Sequence, residues 1–378
     1  MKNHCPNLHA PLCGIFIPNS VGVAHYAAFI WNKSPTKCDA HLGTSIFQIH
    51  SNRQKGSFMQ SLIVSKNEVG QRLDKLLAKY LNLAGKSFLY KMMRKKNITL
   101  NGKKCDGSEK LGEGDEIKLF LSDETIEKFS QVKIPQVKKV ALNVIYEDEH
   151  ILLVNKPAGM LSQKAKESDE SLVEYLIDYL LSKGSLTTEQ LRSFRPSICN
   201  RLDRNTSGLV VCGKSLAGLQ LMSAVFKDRS IHKYYQCVVK GRLSKKQVIK
   251  GFLTKDEASN QVTIHQEQVP DSLPIVTEYE PMAFYEDYTL LKVTLVTGRT
   301  HQIRAHLSSV GHPIMGDYKY GNKKANEEAR KLFSVQSQLL HSFQVTFPEL
   351  PEPLSYLSGK TFFAPLPEIF SNICRDWK

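Results

Sequence analysis

One carboxylate stands between two guanidinium groups in the stretch "NRLDRNTSG", residues 200–208: Asp203, with Arg201 before it and Arg204 after it. Apolar runs on either side, Ile198-Cys199 and Leu209 to Cys212, put this group on a tight connection. Positive neighbours favour the charged form of a carboxylate. The stretch therefore reads either as a salt-bridged turn or as a catalytic carboxylate held ionised in a basic groove. Three further segments carry residues suited to chemistry. "HILLVNKPAGMLSQ" (150–163) is a buried strand stopped by the turn Lys156-Pro157-Ala158-Gly159. "HKYYQCVVKG" (232–241) is an alternating strand carrying Tyr235. In "LLKVTLVTGRTHQIRAHLSSVGHPIMGDYKYG" (290–321), a strand with Leu291, Val293 and Leu295 alternating turns at Thr297-Gly298-Arg299. A helix follows from about Thr300, with Ile303, Leu307 and Val310 on one face and Gly311 as its stop. Arg304 lies beside that apolar stripe and is expected to point into the interior or a cleft.

The elements that must position these groups fall into two expected domains. Residues 59–123 read as a small α/β unit. It opens with a strand at Leu62 to Val64 and a helix with Leu73, Leu76, Leu77, Tyr80 and Leu81 on one face. Gly85 breaks that helix. A second, from about Lys86, is expected to carry Phe88, Leu89 and Met92 inward. A strand then enters the hairpin signal Asn101-Gly102. Lys86, Lys91, Arg94, Lys95 and Lys96 share the second helix and its end, and Lys103 and Lys104 follow the turn. Any one of them suits a solvated face, but together they suit phosphate contacts. Residues 124–138 are charged, contain Pro135 and read as a linker. Residues 139–378 mix strands and helices as an α+β domain on a large mixed sheet, with Ser215 expected to cap a helix.

The 378-residue chain carries a formal charge of +14, which favours a polyanionic partner, nucleic acid before an anionic membrane. No apolar run approaches the length of a spanning helix, so a soluble protein without a membrane partner is expected. Eight scattered cysteines without a C-x-x-C pair suit reduced thiols in the cytoplasm. Cys5, His9, Cys13, Cys38 and His41 have the wrong spacing for common zinc modules, and no metal is expected. Residues 1–58 lack periodicity and a secretory pattern, and read as a poorly ordered extension.

The motifs N-R-L-D-x-x-T-S-G, K-x-Y ending in V-x-G, T-G-R-T-H-Q-I-R-x-H-L and G-H-P-I-x-G-D-x-x-Y-G occur in that order. With the leading K-P-A-G and the later "LLHSFQVTFP" (339–348), residues 139–350 resemble the RluA-type pseudouridine synthases. Residues 59–123 resemble the ribosomal-S4-like RNA-binding domain through their R-L-D-K-x-L opening, two helices and N-G-K turn, although Gly85-Lys86-Ser87 replaces the usual Ser-Arg-Ser. The resemblance implies the pseudouridine synthase fold, with a mixed, mainly antiparallel sheet flanked by helices. It also implies an isomerisation in which the uracil of an RNA uridine leaves N1 and rejoins ribose through C5. Nothing is oxidised or hydrolysed overall, so neither a metal nor a nucleotide cofactor is implied. Asp203 takes the family's catalytic position, Arg304 its buried partner, and Tyr235 the place against the target base. Arg201 and Arg204 are then left to serve phosphates or brace the loop. Asn200 stands where the motif often has His, a change expected in a neighbouring contact. His301, His306 and His312 are spaced five and six apart rather than i, i+4, and read as structural or RNA-facing. Ribosomal RNA is the expected substrate, with transfer RNA the alternative.

Two other readings compete. A catalytically silent RNA-binding or ribosome-assembly protein would share the charge but has no need of Asp203, Tyr235 and Arg304. A glycosidic-bond hydrolase would want a second carboxylate, for which Asp317 is a distant candidate.

Overall fold

Leu73, Leu76, Leu77 and Tyr80 recur at helical spacing and bury one face of α1 (Leu73–Tyr80) in the first hydrophobic core of a computed structural model. The structure describes residues 59–378 apart from Lys133, Gln136, Lys139, Asp376 and Lys378; the expected extension over 1–58 lies outside the described residues. Opposite α1 and α2 (Lys86–Arg94) lies an antiparallel sheet in the order β1-β4-β2-β3. Its strands are β1 (Gln60–Ile63), β2 (Ile98–Leu100), β3 (Lys103–Lys104) and β4 (Glu116–Leu119). Asn101 and Gly102 have φ of 50° and 72°, the two left-handed residues that a two-residue hairpin between β2 and β3 requires.

Two expectations change here. On α2 Leu89 is buried as expected and Phe88 and Met92 pack half-buried against the same core, but the most deeply buried partner of Leu89 is Met93, which the expected face left out. The start of the expected linker is a helix, α3 (Asp123–Phe129). The Ser122 hydroxyl accepts the Thr125 N–H as its cap, and Ile126 is buried in the first core. With four charged residues in seven and only Ile126 and Phe129 apolar, so short a helix showed no sustained period. The stretch free of helix and strand is 130–143 among the described residues.

The second unit is built on an eleven-stranded mixed sheet. Its strands are β5 (Val144–Glu147), β6 (Ile151–Lys156), β7 (Ser197–Ile198), β8 (Ser207–Gly213), β9 (His232–Lys240), β10 (Gln247–Asp256), β11 (Gln261–His265), β12 (Leu273–Tyr285), β13 (Tyr288–Leu295), β14 (Leu340–Thr346) and β15 (Thr361–Phe363). The order β11-β10-β12-β13-β9-β14-β8-β6-β5 is antiparallel throughout except where β14 meets β8; β7 and β15 pair with β8 and β14.

The strands β6 and β8 are apolar at successive positions because both faces of the sheet are covered. Leu152, Val154, Val210 and Cys212 face α4 (Leu172–Ser182) and α6 (Gln302–Ser309). Ile151, Leu153, Leu209 and Val211 face α5 (Leu216–Asp228), where Met222 and Val225 meet them. Each such aliphatic side chain contributes roughly 1.5–3 kcal/mol by leaving water. The Ser215 hydroxyl accepts the Gly218 N–H at 3.0 Å and caps α5. Two more helices, α7 (Lys323–Phe333) and α8 (Glu368–Cys374), contribute Ala329, Phe370 and Ile373 to a further cluster. The two units touch where the Ser193 hydroxyl donates to Glu68 at 2.6 Å and Arg192 lies 5.6 Å from the Tyr80 ring.

Candidate active site

Asp203 sits on the loop between β7 and β8, and hydrogen bonds made by Thr206, Ser162, Lys156 and Asn200 fix that loop. The Thr206 N–H donates to the Asp203 carbonyl at 3.0 Å and closes the turn. The Ser162 hydroxyl accepts the Leu202 N–H at 3.1 Å and donates to the Leu202 carbonyl at 2.7 Å. Lys156 is wholly buried and donates to the carbonyls of Pro157, Met160 and Arg204 at 2.9, 2.8 and 3.1 Å. Three ammonium protons thus meet three acceptors, which tie the Lys156-Pro157-Ala158-Gly159 turn to the loop. Asn200 spans the base of the loop: its carbonyl oxygen accepts the Val211 N–H at 2.8 Å and its amide donates to the Leu209 carbonyl at 3.3 Å. Asn200 therefore does structural work that needs no proton charge. Just beyond the loop, Gly208 has φ of 113°, and a Cβ there would lie 2.2 Å from the Ser342 carbonyl oxygen. Only glycine lets β8 approach β14 so closely.

The α6 helix brings Arg304 to this loop across 101 residues of sequence. Its Nη1 donates to Asp203 Oδ2 at 2.8 Å, while Nε and Nη2 grip Asp317 at 2.7 and 3.0 Å. Asp317 is fully buried and also accepts the N–H groups of Lys319 and Tyr320. Burial opposes the charge on Arg304, yet Asp317 and then Asp203 outweigh it and raise its pKa. Burial likewise opposes the Asp317 charge, and Arg304 overrides it, holding the carboxyl below its ordinary value. One guanidinium thus faces two carboxylates. Asp317 takes the bidentate grip and Asp203 a single bond, so the cluster keeps a net negative charge. The Asp203 side chain remains 26% exposed, whereas that of Asp317 is 1% exposed. Asp317 is the electrostatic base of Arg304 rather than a second acid or base.

Tyr235, on β9 opposite Ser342 of β14, lines the same cleft as Asp203, and only 7% of it is exposed. Burial pushes its phenol up to about 12, Ser342 working against the shift and Asp203 with it, so the ring stays neutral. Tyr234, on the other face of the strand, is half-buried with the Lys292 ammonium 5.0 Å from its ring. Of the three histidines, His306 is buried with Nδ1 2.9 Å from the Thr277 hydroxyl, and His312 Nδ1 lies 3.0 Å from the Lys240 carbonyl. His301 belongs to the cleft. It adopts φ of 53°, with Nδ1 2.8 Å from the Tyr320 hydroxyl and Nε2 3.9 Å from Asp203. Burial lowers its pKa despite Asp203, which keeps the imidazole neutral. The spacing left His301 open between a structural and an RNA-facing role; its turn toward Asp203 depends on a left-handed residue and on Tyr320.

These groups open into a cleft of about 900 Å³, whose rim includes Arg201, Arg204, Lys233, Lys255 and Arg299. That volume suits one nucleotide rather than a duplex. Arg204 braces the loop, donating from Nε to the Gly159 carbonyl at 3.1 Å, while Arg201 is exposed. Lys86, Lys91, Arg94, Lys95, Lys96, Lys103 and Lys104 are also all exposed, on α2, its C-terminal turn and the β2–β3 hairpin, and none lines the cleft.

The sequence matches the RNA pseudouridylate synthase family over residues 150–309, which include Asp203, Tyr235 and Arg304. It matches the S4 domain over 71–117 and a family of unknown function over 1–60. An uncharacterized RNA pseudouridine synthase of Mycoplasma pneumoniae is 31% identical, the alignment covering 83% of this chain and 97% of that protein. The chain belongs to the RNA pseudouridine synthases. Ribosomal large subunit pseudouridine synthase D of Escherichia coli is 30% identical over 81% of this chain and 90% of its own. Ribosomal large subunit pseudouridine synthase C of Vibrio parahaemolyticus is 29% identical over 76% and 88%. As a pseudouridine synthase with an S4 domain, the protein is an isomerase acting on RNA uridine. Among the described residues no helix is long and apolar enough to cross a membrane.

Proposed function

We propose that the enzyme isomerises one or a few uridines of large-subunit ribosomal RNA in the cytoplasm, with Asp203 as the catalytic carboxylate. The observation that carries this reading is the partly exposed Asp203 carboxylate, bonded to Arg304 inside a basic cleft shared with Tyr235. The names of the relatives from Vibrio parahaemolyticus and Escherichia coli support the choice of RNA.

The reaction breaks the bond from N1 to ribose C1′, joins C5 to C1′, and in net terms moves a proton from C5 to N1, so the product is an isomer of the substrate. No electrons leave the nucleoside, so the balance needs no redox partner or nucleotide cofactor. An ionised carboxylate serves it by meeting the electron-poor carbon of the sugar or the base. Arg304 orients Asp203 through one hydrogen bond, while its bidentate grip on Asp317 leaves the Asp203 carboxylate incompletely neutralised. Tyr235 packs against the uracil as a neutral phenol able to exchange a proton with it. A uridine must leave its stack to reach this cleft, at a cost of a few kcal/mol. Phosphate contacts by Arg201, Arg204 and the basic surface of residues 86–104 offset that cost.

The test is incubation of the purified protein with unmodified total RNA, followed by pseudouridine mapping beside an Asp203→Asn control. New pseudouridine at a few positions of large-subunit RNA, absent from the control, is the expected result. Tight binding without any isomerised base would overturn the reading, and modification of transfer RNA alone would replace its substrate.

A further inference from the structure

Lys233 lies two residues before Tyr235 on β9, so the two side chains leave the same face of the strand about 7 Å apart. Both line the cleft. Lys233 is only 8% exposed, and among the described residues no carboxylate lies within ion-pair distance of it. Its ammonium stands 5.8 Å from the Phe226 ring, and the neighbouring charge is another cation, Arg229. Arg229 ends α5 in the left-handed region, with φ of 67°, which turns the chain into β9 and sets the residue on the cleft wall. The adjacent Asp228 points to Ser230 instead, its Oδ1 accepting the Ser230 N–H and hydroxyl at 2.9 and 2.7 Å, and no ion pair joins it to Arg229 among the described residues. A buried ammonium is unfavourable without a counter-charge, and a second cation beside it adds repulsion. Burial and Arg229 accordingly lower the Lys233 pKa. The wall thus has a charge imbalance that the protein itself leaves uncompensated. It faces the space that a nucleotide must enter.

We infer that Phe226, Arg229 and Lys233 form a phosphate subsite, which receives a phosphodiester next to the nucleotide seated against Asp203 and Tyr235. The position of that phosphate rests on the uridine reading given above; the affinity of the wall for an anion does not. Lysine supplies a compact charge and arginine a planar fork, so one phosphodiester can bridge the two. Phe226 limits water on the inner side of the ammonium and strengthens its hold on the anion.

Binding is best measured in the Asp203→Asn background, where turnover cannot confuse it. The probe is a fluorescent oligouridylate, titrated across a series of KCl concentrations. Adding Lys233→Met is expected to weaken binding about tenfold. It also flattens the plot of log Kd against log salt by about 0.7, the loss of one single-strand phosphate contact. Lys233→Arg is expected to retain both affinity and slope. Arg229→Gln, at an exposed turn, gives a second flattening and carries the test if Lys233→Met fails to fold. Unchanged slopes in folded Lys233→Met and in Arg229→Gln would overturn the subsite. If the slopes flatten but the unmutated enzyme forms no pseudouridine, the subsite stands and the uridine reading falls. If the enzyme forms pseudouridine and the slopes do not move, the subsite alone falls.

Discussion

The basic residues of the S4 domain and those around Asp203 carry the same charge but live in different physical surroundings. Lys86, Lys91, Arg94, Lys95, Lys96, Lys103 and Lys104 are all exposed on a short helix, its end and a hairpin. Arg304 is buried, spends every donor direction described for it on a carboxylate, and stands 5.2 Å over the Tyr320 ring. Charges in water are screened and replaceable, and each contributes a little to holding a polyanion. A buried charge is committed to one geometry, and its loss leaves its partners stranded. The first arrangement suits holding an RNA of variable local shape; the second suits placing one carboxylate against one atom.

The largest effect that would sharpen this contrast is expected at Asp203. Asp203→Asn keeps the shape of the loop and should lower single-turnover pseudouridine formation by at least about a thousandfold, while RNA affinity stays near that of the unmutated enzyme. Loss of affinity in step with activity would erase the distinction between placing and holding. Arg304→Gln comes next. It leaves Asp203 and Asp317 facing each other without the guanidinium, and should destabilise the catalytic domain by about 3–5 kcal/mol in urea unfolding. Asp317→Asn should act more gently and through Asp203. Relieved of its bidentate partner, Arg304 is free to turn toward Asp203 and hold it less precisely, so kcat falls while KM changes little. A loss of thermal stability with kcat unchanged would make Asp317 a merely structural residue.

The S4 surface should respond by addition rather than collapse. Replacing Lys95, Lys96, Lys103 and Lys104 together by Gln is expected to flatten the salt dependence of RNA binding by about 3, whereas each single replacement costs little. A single replacement that abolished binding would break the comparison.

The smallest effect concerns stability and pH. Burial pushes His306 and His341 down to about 4, from an ordinary value of 6.5. The unfolded chain takes up protons at these positions below pH 6.5 and the folded chain does not until about pH 4. Stability is therefore complete above 6.5 and lost progressively as pH falls towards 4. A thermal-melting series should show this decline, and His341→Asn should flatten it. The Tyr235 phenol, held up to about 12, adds no alkaline limb to activity near neutrality.

Much of this architecture was legible in one dimension. The hairpin at Asn101-Gly102, the Ser215 cap and the alternation along β13 rest on local sterics and periodicity, which act between near neighbours. The position of Asp203 was visible through its motif, and the resemblance that motif carried also pointed to Arg304. Other features could not be read that way. The α3 helix is held by only two apolar residues, Ile126 and Phe129, and Met93 joins Leu89 in the core, with Met92 only half-buried, because the packing of α2 on its sheet set the depth of each position. The sharing of Arg304 between Asp203 and Asp317, the turn of His301 toward the carboxylate and the unmatched charge of Lys233 beside Phe226 are matters of who meets whom. Sequence by itself determined which groups exist and which local elements carry them. Only the tertiary structure decided which charges are buried, which are paired and which are left over, because desolvation and ion pairing depend on neighbours that the chain brings together from a hundred residues away.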